Sequence, residues 1–282
     1  MKITTLIENR ESTTEPRLSS EWGLSLCIEL KNHSILFDTG ASGAFADNAK
    51  HLSINVDSID AAVLSHHHFD HGGGLKRFFE LNSNARVYLA DAPDGECFIK
   101  IMGFLKKPIG LDRAVMDRHR ERFEFVGKPT EILPDVFIFP KITDKYPKPL
   151  GNKQLYVKTE GRLTLDGFSH EMVMAVKENG KLVIFTGCSH NGILNMIDTV
   201  AKVLDGIPIR AVIGGFHLVA SPPFNLMAGK RKDVENLGKS VLNYPVEITY
   251  TGHCTGKKAF NVLKSVMGDR IKDMRTGSSF NI

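Results

Sequence analysis

The chain has no apolar run approaching the roughly 18 residues that a membrane-crossing helix needs. It also has little net charge, with 36 basic against 32 acidic residues in 282, or +4. The first absence argues against a helical membrane protein, and the second gives no electrostatic ground for a nucleic-acid binder. Cysteine is scarce: four residues, at 27, 97, 188 and 254, with no Cys-x-x-Cys pair. The first ten residues hold only a short apolar patch that Glu8 ends, which is not the core of an export signal. Reduced thiols in a cytoplasmic protein are therefore expected, not a disulfide framework. No internal repeat stands out at the level of identity. With 42% hydrophobic residues, 24% charged, 25 Gly and 12 Pro, collagen-like and disordered classes are excluded.

Histidine departs from this plain background. There are 11 in the chain, and residues 66–71 hold four of them. A six-residue window should hold about a quarter of one on this composition.

A coarse reading gives strands and helices in alternation, which implies a layered α/β domain. Ile3–Ile7 reads as an edge strand. Leu24–Leu30 and Ser34–Phe37 read as a hairpin, and Phe45–Leu52 as a short helix. Ala61–Leu64 is a strand that runs into the histidine cluster and then a helix through Leu75–Phe79. The pattern breaks from about 97 to 158. That stretch carries six of the prolines, and between Lys100 and Lys158 it has 13 basic against 7 acidic residues, a local +6. It reads as a basic insertion within a single domain spanning 1–282, a lid or substrate-facing region. Beyond it, Asn179-Gly180 signals a hairpin, Ile193–Leu204 has helical spacing, and Ala211–Ile213 and Val246–Tyr250 are strands. Helices are expected over Asp233–Leu242 and Ala259–Met267. Three segments share one plan, an apolar strand that delivers His beside Gly before a helix: Val63–Gly74, Val183–Ile193 and Ile248–Phe260. Sites in layered α/β folds collect at the carboxyl ends of strands.

In the central segment, His66 and His68 fall on one side of an extended chain and His67 on the other. Asp70 and His71 follow, and Gly72-Gly73-Gly74 permits an unusual turn. Three imidazoles and a carboxylate in six residues are borderline ligands for Zn, Fe, Mn or Co.

These residues, His66-x-His68-x-Asp70-His71, resemble the defining motif of the metallo-β-lactamase superfamily, and Phe37-Asp38-Thr39-Gly40 resembles its first motif. The resemblance implies a four-layer αβ/βα sandwich with two mixed sheets and helices on the outer faces. It implies a metal site on one edge, with Asp38 orienting the ligand loop. The later ligands depart from the common pattern: Cys188 stands where a metal-bridging Asp is usual. The run Thr186-Gly187-Cys188-Ser189-His190, with Gly214-Gly215-Phe216-His217 and His253-Cys254-Thr255-Gly256, resembles one subgroup. Its namesake is the dihydropterin-ribofuranosyl-aminobenzene phosphate synthase of methanopterin biosynthesis. That resemblance makes His190 and His253 the remaining ligands, with Cys188 either a buried thiol or a ligand. His217 is a candidate catalytic residue beside Asp70. His170 belongs either to an active-site loop or to the surface.

Six ligands, His66, His68, Asp70, His71, His190 and His253, are too many for one tetrahedral ion. They suit two divalent ions, zinc first, with iron or manganese as alternatives. A helix start at Thr255-Gly256-Lys257, with Thr255 as N-cap, reads as an anion site. It is one residue short of a P-loop and lacks the Ser/Thr after Lys. Together these features predict a metal-dependent hydrolase or transferase acting on an anionic, phosphorylated small molecule, with nucleic acid disfavoured and oligomeric state open. The alternatives are an iron-dependent redox enzyme on the same fold and a non-catalytic metal-binding module.

Overall fold

A computed structural model of the chain describes residues 1–220 and 226–282; Phe224, an apolar residue that the sequence leaves open as interface or core, lies outside them. The chain forms two compact units, each assembled from separated segments. The first is Met1–Asp91, Ile109–Val126 and Met274–Ile282; the second is Ala92–Pro108 and Gly127–Asp273.

The first unit is built on a seven-stranded sheet. Its order is Ser279–Asn281, Lys2–Ile7, Ser25–Glu29, Ser34–Phe37, Ala61–Val63, Arg86–Leu89 and Phe123–Phe125. The first four strands pair antiparallel, and from Ser34–Phe37 onward the pairing is parallel. Because strand side chains alternate, Leu36, Ala62 and Val87 share one face. They pack there with Phe45, Ala49, Leu75 and Phe78 of helices Ala44–His51 and Leu75–Leu81. Each fully buried Leu or Phe of this kind contributes about 1.5–3 kcal/mol. Lys2–Ile7 is an inner strand, which corrects its reading as an edge: Lys2 pairs with Asn281 on the far side from Glu29.

The second unit repeats the plan. Its seven strands run Ile271–Asp273, Val246–Thr251, Ile209–Ile213, Lys181–Phe185, Val173–Glu178, Val136–Phe139 and Thr130–Leu133. The first four are parallel and the rest antiparallel. Asn179 and Gly180 take φ of 53° and 74° between Glu178 and Lys181, the left-handed pair that a two-residue hairpin requires. Helices Ile193–Val203, Arg231–Leu242 and Lys257–Met267 bury Ile197, Val200, Val234, Val241 and Leu263 in the core of this unit.

The 97–158 stretch is not one excursion. Phe123–Phe125 joins the first sheet, and Thr130–Leu133 and Val136–Phe139 join the second. Only Glu96–Ile101, Leu105–Pro108 and Leu155–Thr159, with Arg162–Leu165, form a separate antiparallel sheet in the second unit. Among the described residues, no helix is long and apolar enough to cross a membrane.

Candidate metal centre

In the first unit the candidate ligands and Asp38 follow adjacent parallel strands. Asp38 follows Phe37 with φ of 58°, and Ser65–His71 follows Val63. His66 and His67 lie in a bend, His68 forms an isolated β-bridge with Gly110, and Asp70 and His71 sit in the four-residue helix Phe69–Gly72. The alternation argument nevertheless sorts them correctly: His67 Nε2 pairs with the Ala90 carbonyl at 2.8 Å, while His66 Nε2 and His68 Nδ1 approach to 3.0 Å. Gly73 is required by space, since a Cβ there would stand 2.2 Å from the Ala41 carbonyl oxygen.

A buried network fixes which ring nitrogens carry protons. Asp38 accepts from the Ser65 backbone N–H at 2.7 Å and from the Ser65 hydroxyl at 2.8 Å. Its Oδ2 lies 2.6 Å from His71 Nδ1, so that nitrogen carries the proton and the lone pair is on Nε2. The Ser65 hydroxyl uses its one proton in the hydrogen bond to Asp38, so at 2.9 Å it accepts from His66 Nδ1–H. His66 therefore also presents the Nε2 lone pair, the pattern of metal-ligating histidines whose other nitrogen is held by a carboxylate or hydroxyl. His71 Nε2 faces Asp70 at 3.8 Å.

In the second unit the chemistry gathers at the carboxyl ends of three adjacent parallel strands. Lys181–Phe185 leads to Cys188 and His190, Ile209–Ile213 to His217, and Val246–Thr251 to His253 and Cys254. Cys188 Sγ and ring nitrogens of His190 and His217 lie within 4.8 Å of one another. Bonds of about 2.0–2.3 Å to one ion can bridge such a spacing. Both ring nitrogens of His217 are buried with no hydrogen-bond partner among the described residues. Buried polar atoms are nearly always satisfied, so an exogenous ligand is their expected partner. Ser189, His217 and His253 hold φ of 60°, 47° and 46°. With Asp38, four residues of the two ligand regions thus occupy the left-handed region, at about 1–3 kcal/mol each. Gly215 is demanded by packing, because a Cβ would lie 2.5 Å from Cys254 Sγ. Burial opposes ionisation of the Cys254 thiol. The hydrogen-bonded Cys188 and the His253 and His217 rings outweigh it and hold the thiol well below its usual range.

The Thr255 N-cap reading is corrected. The N-cap of Lys257–Met267 is Gly256, with no side-chain cap. The Thr255 hydroxyl is turned inward, accepting from Phe216 N–H at 3.0 Å and bonding the Thr251 hydroxyl. Lys257 is exposed.

Three residues outside the sequence-derived site surround His190. Asn152 contacts it twice, Phe168 stacks on its ring at 4.2 Å and 6°, and Glu171 accepts its backbone N–H at 2.7 Å. Burial raises the Glu171 carboxyl to about 7 against the pull of N–H donors from His190 and Asn191. His170, undecided from sequence, is fully buried and bonds Asp166 at 3.0 Å. Of this loop the sequence marks only His170, and nothing in it marks Asn152. A largely apolar cavity of about 500 Å³ lies in the same unit, lined by Leu150, Ile193, Phe216, Leu218 and others. It has the size of a small-molecule site.

Residues 23–94 match the sequence profile of the metallo-beta-lactamase superfamily. Over 98% of its length, the chain is 31% identical to the 7,8-dihydropterin-6-methyl-4-(beta-D-ribofuranosyl)-aminobenzene-5'-phosphate synthase of Methanocaldococcus jannaschii, covering 95% of that protein. The chain belongs to the metallo-β-lactamase superfamily. Among solved structures it is similar to Tm1679, described as a metal-dependent hydrolase of the beta-lactamase superfamily. The TM-score is 0.81 at 28% identity, covering 100% of this chain and 99% of that one. Zn(2+)-bound PqqB from Methylobacterium extorquens has the same fold, with a TM-score of 0.58 at 12% identity over the full length of both chains. The expected fold class is therefore correct, and the protein is a metal-dependent enzyme of the superfamily with His, Asp and Cys groups suited to divalent ions.

Proposed function

We propose that this superfamily member acts on a phosphorylated small molecule as a metal-dependent hydrolase or transferase. The specific reaction proposed for this chain is the condensation of a dihydropterin diphosphate with a ribofuranosyl-aminobenzene phosphate, releasing diphosphate, a reading supported by its similarity to the synthase of Methanocaldococcus jannaschii. The observation that carries the metal-dependent reading is the Asp38–Ser65 network, which leaves His66 and His71 both presenting Nε2. The candidate ligands are His66, His68, Asp70 and His71 of the first unit and His190 and His253 of the second, for two divalent ions with zinc favoured. Ions so held supply Lewis acidity and a water nucleophile near neutral pH. Cys188, in the position of the usual bridging Asp, would add a soft donor beside His190.

The residues of the chain do the rest. His217, whose buried ring nitrogens have no hydrogen-bond partner among the described residues, would donate one N–H to an oxygen of the substrate anion. Exposed Lys257, and the lysines of the separate small sheet, attract the phosphate. The apolar cavity takes the aromatic part of the substrate, which fixes its orientation at low cost in hydrogen bonding. The test is the metal-loaded protein with both substrates, read as diphosphate release. Release that needs both substrates and metal is expected; phosphate release from simple phosphoesters instead would leave a hydrolase and reject the synthase.

Cys188 within 4.8 Å of His190 and His217 favours one second reading, iron-dependent redox chemistry. Full turnover with zinc as the bound metal rejects it.

A further inference from the structure

Asn152 lies in the 3-10 turn Leu150–Gln154, 38 residues before His190 in the chain. Its Nδ2 donates to the His190 carbonyl oxygen at 2.7 Å, and its Oδ1 lies 3.1 Å from His190 Nδ1. A carbonyl oxygen only accepts, so the amide has one permitted orientation, with Nδ2 toward the main chain. Its Oδ1 also only accepts, so the proton between it and the ring belongs to Nδ1. A neutral imidazole has a single N–H, and its lone pair is then on Nε2. From this geometry we infer that Asn152 is a positioning residue that sets the tautomer of His190 and aims Nε2 at a divalent cation.

Two neighbours complete the device. Phe168 lies flat on the ring, at 4.2 Å and 6°, and so restrains rotation about the last side-chain bond. Glu171 takes the His190 and Asn191 backbone N–H groups, each at 2.7 Å, while the Asn191 amide bonds both Glu171 and the Phe168 carbonyl. Main chain, ring plane and tautomer are each held by a different residue. The Nδ1–H form is the minor one of free histidine, so without an acceptor at this position the ring would favour the other tautomer and turn an N–H toward the ion. The amide does for His190 what the Asp38 carboxylate does for His71, without adding a charge.

The inference rests on reading His190 as a metal ligand, and the experiment separates the two. In the metal-free full-length protein, long-range proton–nitrogen spectra of the imidazoles, with the His190 signal assigned by its loss in His190→Ala, report the tautomer directly. Wild type is expected to show His190 as Nδ1–H, and Asn152→Ala to shift it toward Nε2–H. Asn152→Asp, which keeps the acceptor, should hold the Nδ1–H form. Zinc affinity by chelator competition should fall about 10–100-fold in Asn152→Ala, with most of it recovered in Asn152→Asp. A wild-type His190 carrying its proton on Nε2 overturns the role of Asn152 whatever the variants do. If His190→Ala binds zinc as tightly as wild type, the ligand reading of His190 falls instead.

Discussion

Asp38 Oδ2 lies 2.6 Å from His71 Nδ1, with both side chains fully buried. The carboxylate spends its other contacts on the backbone and hydroxyl of Ser65. Asn in its place offers only one acceptor atom, so one of these donors must face an amide N–H. Asp38→Asn should therefore destabilise the fold by about 1–3 kcal/mol and weaken divalent-metal binding about 10–100-fold. Urea denaturation and chelator competition measure the two effects.

The close approach at Gly73 makes a second prediction. A Cβ at 2.2 Å from the Ala41 carbonyl oxygen meets backbone, which cannot move aside as a side chain can. Gly73→Ala should cost at least about 1–3 kcal/mol in urea unfolding and lower metal occupancy with it, because the same loop carries Asp70 and His71.

His217 separates catalysis from metal holding. If it contacts the substrate anion, His217→Gln should keep its full metal content while kcat falls about 10²–10⁴-fold. Elemental analysis beside steady-state kinetics checks this; a variant that loses metal would place His217 among the ligands.

Cys27 sets an alkaline limit. Its buried thiol is raised from 9.0 to about 12, by burial first and then by Glu29. Between those values the unfolded chain gives up a proton that the native state keeps. The contribution is thus fully present below pH 9 and is lost as pH rises toward 12, by about 1.4 kcal/mol per pH unit. Stability of wild type should therefore fall more steeply with pH above 9 than that of Cys27→Val, measured by denaturant midpoints from pH 8 to 10.5.

The parts of the fold that sequence reading recovers are those fixed locally. The hairpin at Asn179-Gly180 follows from the conformations of two residues, and the six-residue metal motif from ligand types in one short loop. The misreadings come from partners distant in the chain. Lys2–Ile7 looks like an edge because the strand that covers it, Ser279–Asn281, is at the other terminus. The proline-rich stretch hides Val136–Phe139, whose place is decided by pairing with Val173–Val176. Thr255 has an N-cap's composition, but Phe216 N–H captures its hydroxyl across the ends of two strands. Asn152 was illegible for the same reason: one asparagine in a basic stretch acquires its role only when folding brings it to His190.

The central claim is that the two groups of histidines hold divalent metal. Elemental analysis of the purified protein, with His68→Ala and Asp70→Asn beside it, tests that most directly. Two equivalents of a divalent ion per chain are predicted for wild type, with a clear loss in each variant and no loss of fold by circular dichroism. Unchanged metal content in both variants, or a wild-type chain that binds none, would contradict the account.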